Sequence, residues 1–132
     1  MAGFKAKWLA TVALLGLITP TAADADVACA LTISNLWITP YGWINVGLSG
    51  NGLDIGWWLC PVSGSTSIND GNTTKTVSSD SCRAIWSQLL TLKAAGKPLN
   101  LMFHGPTDCT AASLPANGTQ PTPFPENFGF NN

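Results

Sequence analysis

Three stretches of the chain are rich in β-branched and aromatic residues: "LTISNLWIT" (31–39), "WINVGLS" (43–49) and "IGWWLCPV" (55–62). Pro40-Tyr41-Gly42 and Gly50-Asn51-Gly52 separate them, and short apolar runs punctuated in this way predict an antiparallel meander. The following "SGSTSINDGNTTKTVS" (63–78) has no apolar period and reads as a polar loop. The period then changes. In "SSDSCRAIWSQLLTLKAAG", Cys82, Ile85, Trp86, Leu89 and Leu90 fall at i, i+3, i+4, i+7 and i+8, the stripe of an amphipathic helix over about 79–95. Ser78 or Ser79 can cap it, Asp80 suits the positive end of its dipole, and Gly96 followed by Pro98 stops it. "PLNLMFHG" (98–105) alternates as a further strand, with Leu99, Leu101 and Phe103 on one face and Asn100, Met102 and His104 on the other.

The order of elements is three strands, a helix and at least one more strand. It predicts a β-rich α+β domain over 26–105: a small antiparallel sheet or partly open OB-like barrel, with one amphipathic helix packed on it. Residues 106–132, rich in Pro and Asn, read as an irregular tail pinned by Phe124, Phe128 and Phe130.

Alternation also sorts the meander into two faces. Ile44, Val46 and Leu48 make an apolar face of the second strand, which turns Trp43 and Asn45 the other way. Ile55, Trp57 and Leu59 join the core from the third strand, so Trp58 points outward beside Gly56. Leu36 and Ile38 in the first strand turn Trp37 and Asn35 outward, unless a bulge near Asn35 exchanges Trp37 with its neighbours. Trp37, Trp43 and Trp58, with Asn35 and Asn45, are thus expected on one sheet face. Flat indole rings beside amide donors and acceptors suit the apolar faces and hydroxyl rims of sugars. Three uses compete for such a face: a glycan site, an interface between copies of the chain, and a second core under a tail folded over it.

Composition narrows the setting. Lys5 and Lys7, the apolar run Trp8 to Ile18, and the Ala23-Asp24-Ala25 stretch have the layout of a signal peptide cleaved after residue 25, with a buried N-terminal helix as the alternative. The run is too short to span a bilayer, so no membrane span is expected once it is removed. All four cysteines lie beyond the cut, which predicts two disulfides and a secreted or periplasmic location. Three connectivities exist. Cys60 ends the third strand and Cys82 opens the helix, while Cys29 and Cys109 flank the sheet, so the pairs Cys60–Cys82 and Cys29–Cys109 would staple helix to sheet and close the sheet. Only 10% of residues are charged and the balance is slightly acidic, which does not suit nucleic acid.

Chemistry finds few candidates. His104 is the single histidine, and Asp108 is the neighbour that could orient it, but no nucleophile stands out and the residue reads as part of a strand. Asp54, Asp70 and Asp80 read as loop or capping residues. "NDGN" (69–72) falls far short of a calcium loop, and no C-x-x-C pair supports zinc, so neither a metal nor another cofactor is expected. Asn72-Thr73-Thr74 and Asn117-Gly118-Thr119 match the glycosylation sequon, which matters only in a host with that machinery.

The layout "ISNLWITPYGWINVGL", "WWLCPV" and "CRAIWSQLLTLKAAGKPLNLMF", over residues 33–103, resembles short secreted bacterial proteins of unknown function. More remotely it resembles the B subunits of subtilase and typhoid toxins, which are pentameric, glycan-binding and built on the OB fold. The resemblance implies a secreted lectin-like or assembly module, and no binding residue carries over from it. The sequence therefore predicts a non-catalytic binding module, either lectin-like or self-associating through its Trp-bearing face.

Overall fold

The computed structural model describes residues 26–129, so the signal-peptide expectation for residues 1–25 and Phe130 lie outside it. The elements run β1 (Val27–Ile38), β2 (Trp43–Gly50), β3 (Leu53–Pro61), β4 (Ser65–Asn69), β5 (Thr74–Ser78), α1 (Ser79–Ala95), β6 (Leu99–Phe103) and β7 (Asn127–Gly129). The fold is β-rich α+β. A curled antiparallel sheet, ordered β3-β2-β1-β6-β7, forms a partly open OB-like barrel, and β4 and β5 pair as a separate two-stranded sheet. The long β1 serves both halves: Val27 to Leu31 pair with β6, and Thr32 to Ile38 pair with β2.

Local chemistry sets the turns. β2 and β3 join through Asn51-Gly52, both at positive φ (52° and 75°), the conformation of the two-residue turn that matches the twist of paired strands. Between β1 and β2, Gly42 donates to Thr39 O (2.9 Å) and Thr39 to Trp43 O (2.8 Å), closing a three-residue loop around Pro40. Helix α1 begins at Ser78, whose hydroxyl accepts from the Ser81 N–H at 3.2 Å, and ends at left-handed Gly96.

The register of β1 shifts between Ile33 and Asn35. Cys29, Leu31 and Ile33 face the core before this bulge, and partly buried Leu36 continues that face after it. A bulge takes carbonyls out of the ladder. Here Lys93, in the last turn of α1, donates its ammonium to Ser34 O (2.8 Å) and Ile33 O (3.4 Å), fixing the helix against the irregularity. The expected inward position of Ile38 does not occur. At the end of β1 this residue is 41% exposed, because the hairpin there runs past the edge of the core. Leu90 likewise lies on the open side of α1, and Cys82, Leu89 and Leu92 make the buried stripe instead.

The core lies between α1 and the concave side of the sheet. Its centre is Trp57, 1% exposed, which meets Phe103 edge to face at 5.8 Å and donates its indole N–H to Pro115 O at 3.2 Å. Disulfides Cys60–Cys82 and Cys29–Cys109 form, the first tying β3 to α1 and the second tying β1 to the segment after β6. Two disulfides are consistent with an extracytoplasmic protein. No helix among the described residues is long and apolar enough to cross a membrane.

Two segments differ from the sequence reading. The stretch read as a polar loop holds the β4–β5 hairpin, paired from Ser65↔Ser78 to Asn69↔Thr74. Its turn is organised by Asp70, only 3% exposed, which is paired with Lys75 and accepts from Thr73 N–H (2.7 Å) and Asn72 N–H (2.9 Å). The Lys75 contact and these N–H groups hold its carboxyl well below the usual aspartate range. The stability it lends is thus kept above that range and lost only in stronger acid. The region after residue 105 is not merely a tail. It contributes buried Leu114 and Phe124 to the core and supplies β7, which pairs with β6 and carries the sheet beyond the expected limit at residue 105.

Candidate functional site

The paired registers of β1, β2 and β3 lay out the convex face of the sheet as three rows. Trp37 pairs with Asn45 and Asn45 with Trp58; Asn35 pairs with Gly47 and Gly47 with Gly56; Thr32 pairs with Ser49 and Ser49 with Asp54. Each row crosses three strands, so Trp37 and Trp58 stand two strand spacings apart, about 9.5 Å. They flank Asn45. Trp37 is 44% and Trp58 42% exposed, whereas Asn45 between them is only 6% exposed.

Four of the five expected site residues, Asn35, Trp37, Asn45 and Trp58, are therefore brought together in adjoining rows. The bulge in β1 lies before Trp37 and leaves it outward. Trp43 alternates with Asn45 along β2 but is partly buried. A second irregularity between Trp43 and Asn45 sets Trp43 opposite Pro61, at the margin of the grid. The described part of the C-terminal segment leaves both rings more than two-fifths exposed.

That segment instead borders the grid. β3 is an edge strand of the sheet, and residues 117–120 run along its free side. Gly56 N–H donates to Asn117 Oδ1 (2.8 Å), Gly118 N–H to Gly56 O (2.7 Å) and Trp58 N–H to Thr119 O (3.0 Å), while the Gln120 side-chain amide donates to Leu59 O (3.1 Å). Asn117 thus enters the site as a third amide. Its sequence position marked it only as a sequon, and no local pattern signals a contact 61 residues away.

The two glycines of the middle row have different surroundings. A Cβ on Gly47 would lie 2.9 Å from Ser34 Oγ and 3.1 Å from Asn35 Cβ, so the bulge residues close over it. A Cβ on Gly56 would meet Asn117 Oδ1 at 3.6 Å, Asn45 Oδ1 at 3.7 Å and Val46 O at 3.8 Å, all ordinary contacts. Asn45 Oδ1 is buried and has no hydrogen-bond partner among the described residues. Asp54, expected in a loop, is the second residue of β3 and stands exposed in the third row. The grid carries hydroxyls, amides, one carboxylate and two indoles, with no Lys or Arg.

The other chemical candidates lie elsewhere and have local partners. His104 Nδ1 is 2.9 Å from Asp26 Oδ1, so the expected orienting role of Asp108 is not what the structure shows. Asp108 accepts from the Thr110 hydroxyl (2.6 Å) and N–H (2.9 Å), bonds that lower its pKa and make it a turn residue. Among the described residues no three His, Cys, Asp or Glu side chains gather as metal ligands would. Compared with protein-family models, curated proteins and solved structures, the chain matches none.

Proposed function

We propose that the protein is a secreted or periplasmic binding module without catalytic activity, and that it takes a carbohydrate on the Trp37–Asn45–Trp58 row. The observation that carries this reading is the register that sets two half-exposed indoles on either side of a buried amide. Sugar rings offer apolar C–H faces to an indole and hydroxyls to amides, so such a row supplies both kinds of contact. The remote sequence resemblance to toxin B subunits is one of fold and carries no binding residue to this row. A glycan array probed with the disulfide-bonded protein tests it. Specific binding that is lost in Trp58→Ala, with the fold intact by near-UV circular dichroism, is the expected result. A folded protein that binds no glycan would remove the reading.

A second reading is self-association through the same face. It is favoured by Tyr41 (85% exposed), which adds aromatic surface at the β1–β2 turn beyond Trp37. Sedimentation equilibrium separates the two. Self-association requires a mass above one chain that drops in Trp58→Ala, and a monomer at micromolar concentration excludes it.

A further inference from the structure

We infer that the hollow over Gly56 is a hydrogen-bond-accepting subsite that reads hydroxyl donors of a sugar ring and rejects sugars bearing a carboxylate; this rests on the carbohydrate reading above. The three atoms nearest the position a Cβ would take on Gly56 are all acceptors: Asn117 Oδ1, Asn45 Oδ1 and Val46 O, at 3.6 to 3.8 Å. Hydroxyl hydrogen bonds form at about 2.7–2.8 Å. A hydroxyl resting on the bare Cα of Gly56 sits beyond the Cβ position and faces the same two amide oxygens. Asn117 Oδ1 already accepts from Gly56 N–H, and a carbonyl oxygen has a second lone pair to offer.

Asn45 gives the stronger argument. Its side chain is more than nine-tenths buried, yet Oδ1 has no partner among the described residues. A buried acceptor left unpaired disfavours the fold, and an apolar side chain of similar size would avoid that cost. A donor arriving with a ligand relieves it. Asn45 sits between Trp37 and Trp58 in its row, and its oxygen lies 3.7 Å from the Cβ position of Gly56, the bare side from which a donor would approach.

The sign of the surroundings sets the discrimination. Asp54 stands on the same face two residues from Gly56, the three rows hold no Lys or Arg, and the Lys93 ammonium beside Asn35 is taken up by the Ile33 and Ser34 carbonyls. A sugar carboxylate would meet acceptors that cannot pair with it and a like charge nearby. A hydroxyl can donate to every acceptor present.

The test uses the full, disulfide-bonded protein on an array of neutral oligosaccharides and their sialylated or uronate counterparts, with the variants Gly56→Ala, Asn45→Leu and Trp58→Ala. The neutral form of each pair is expected to bind at least tenfold more tightly than the acidic one. Gly56 has no left-handed φ, and an added Cβ meets only ordinary contacts, so Gly56→Ala should melt as the parent does. It should nevertheless lose about tenfold in affinity, since it fills the hollow and blocks a hydrogen bond. Asn45→Leu should bind as weakly while melting no lower than the parent. Binding kept in both variants, or acidic sugars bound as well as neutral ones, while Trp58→Ala still loses binding, would overturn the subsite and leave the carbohydrate reading standing. No binding to any glycan by the parent protein would overturn both.

Discussion

Trp57 and Trp58 are consecutive residues of one strand. Trp57 is 1% exposed, packed edge to face on Phe103 and hydrogen-bonded through its indole nitrogen, whereas Trp58 keeps 42% of its surface. The alternation of a strand puts two identical side chains into opposite roles. The inner ring has every partner a buried indole needs. The outer ring has a neighbour, Asn45, whose own oxygen lacks one among the described residues. This difference teaches where to look for function: the inner face is complete without anything else, and the outer face is not.

The comparison can be broken by substitution. Trp57→Ala should cost the most, about 3–5 kcal/mol, because it empties the centre of the core. Urea unfolding measures it, and a loss under 1 kcal/mol would mean that the ring is not the keystone described. Next in size is the Cys60→Ser, Cys82→Ser double variant. This bridge spans 22 residues, and chain entropy gives it about 3 kcal/mol. An unchanged denaturation midpoint would show that helix packing alone holds α1 on the concave face. Gly47→Ala should cost about 1–3 kcal/mol, since its Cβ would press on Ser34 and Asn35, whereas the same change at Gly56 should cost almost nothing. Equal melting temperatures for the two glycine variants would contradict the asymmetry of the middle row. The stability effect of Trp58→Ala is small as well, about 1 kcal/mol or less. If that variant unfolds, the outer ring is a core residue after all and the contrast with Trp57 disappears.

Much of this architecture is legible in the sequence, and the exceptions have physical reasons. The meander, the helix with its Ser78 cap and Gly96 stop, and the inward face of β6 all follow from apolar period and capping chemistry. The β4–β5 hairpin escapes such reading because partly buried Ile68 and buried Val77 are its only apolar strand residues. Its turn is held by a carboxylate rather than by an Asn-Gly signal. The 117–120 segment escapes because its bonds all end on backbone groups of β3, and two of the four also use its own backbone, which leaves no complementary side-chain pattern in β3. Within the site, Trp37, Asn45 and Trp58 could be sorted by counting alternate residues. Asn117 and Asp54 could not: one depends on a long-range pairing, and the other sits beside a turn that a sequence reader extends too far.

The pairing of residues 117–120 with β3 also bears on timing. Chains are made from the N-terminus, and the strands carrying both indoles are complete long before Asn117 exists. A partly synthesised chain can therefore display the aromatic row without the amide that borders it, and the hollow over Gly56 acquires its second wall only when the last eighth of the chain arrives. On the carbohydrate reading, full affinity is a property of the finished protein alone, so a chain still being made holds sugars less firmly than the finished one.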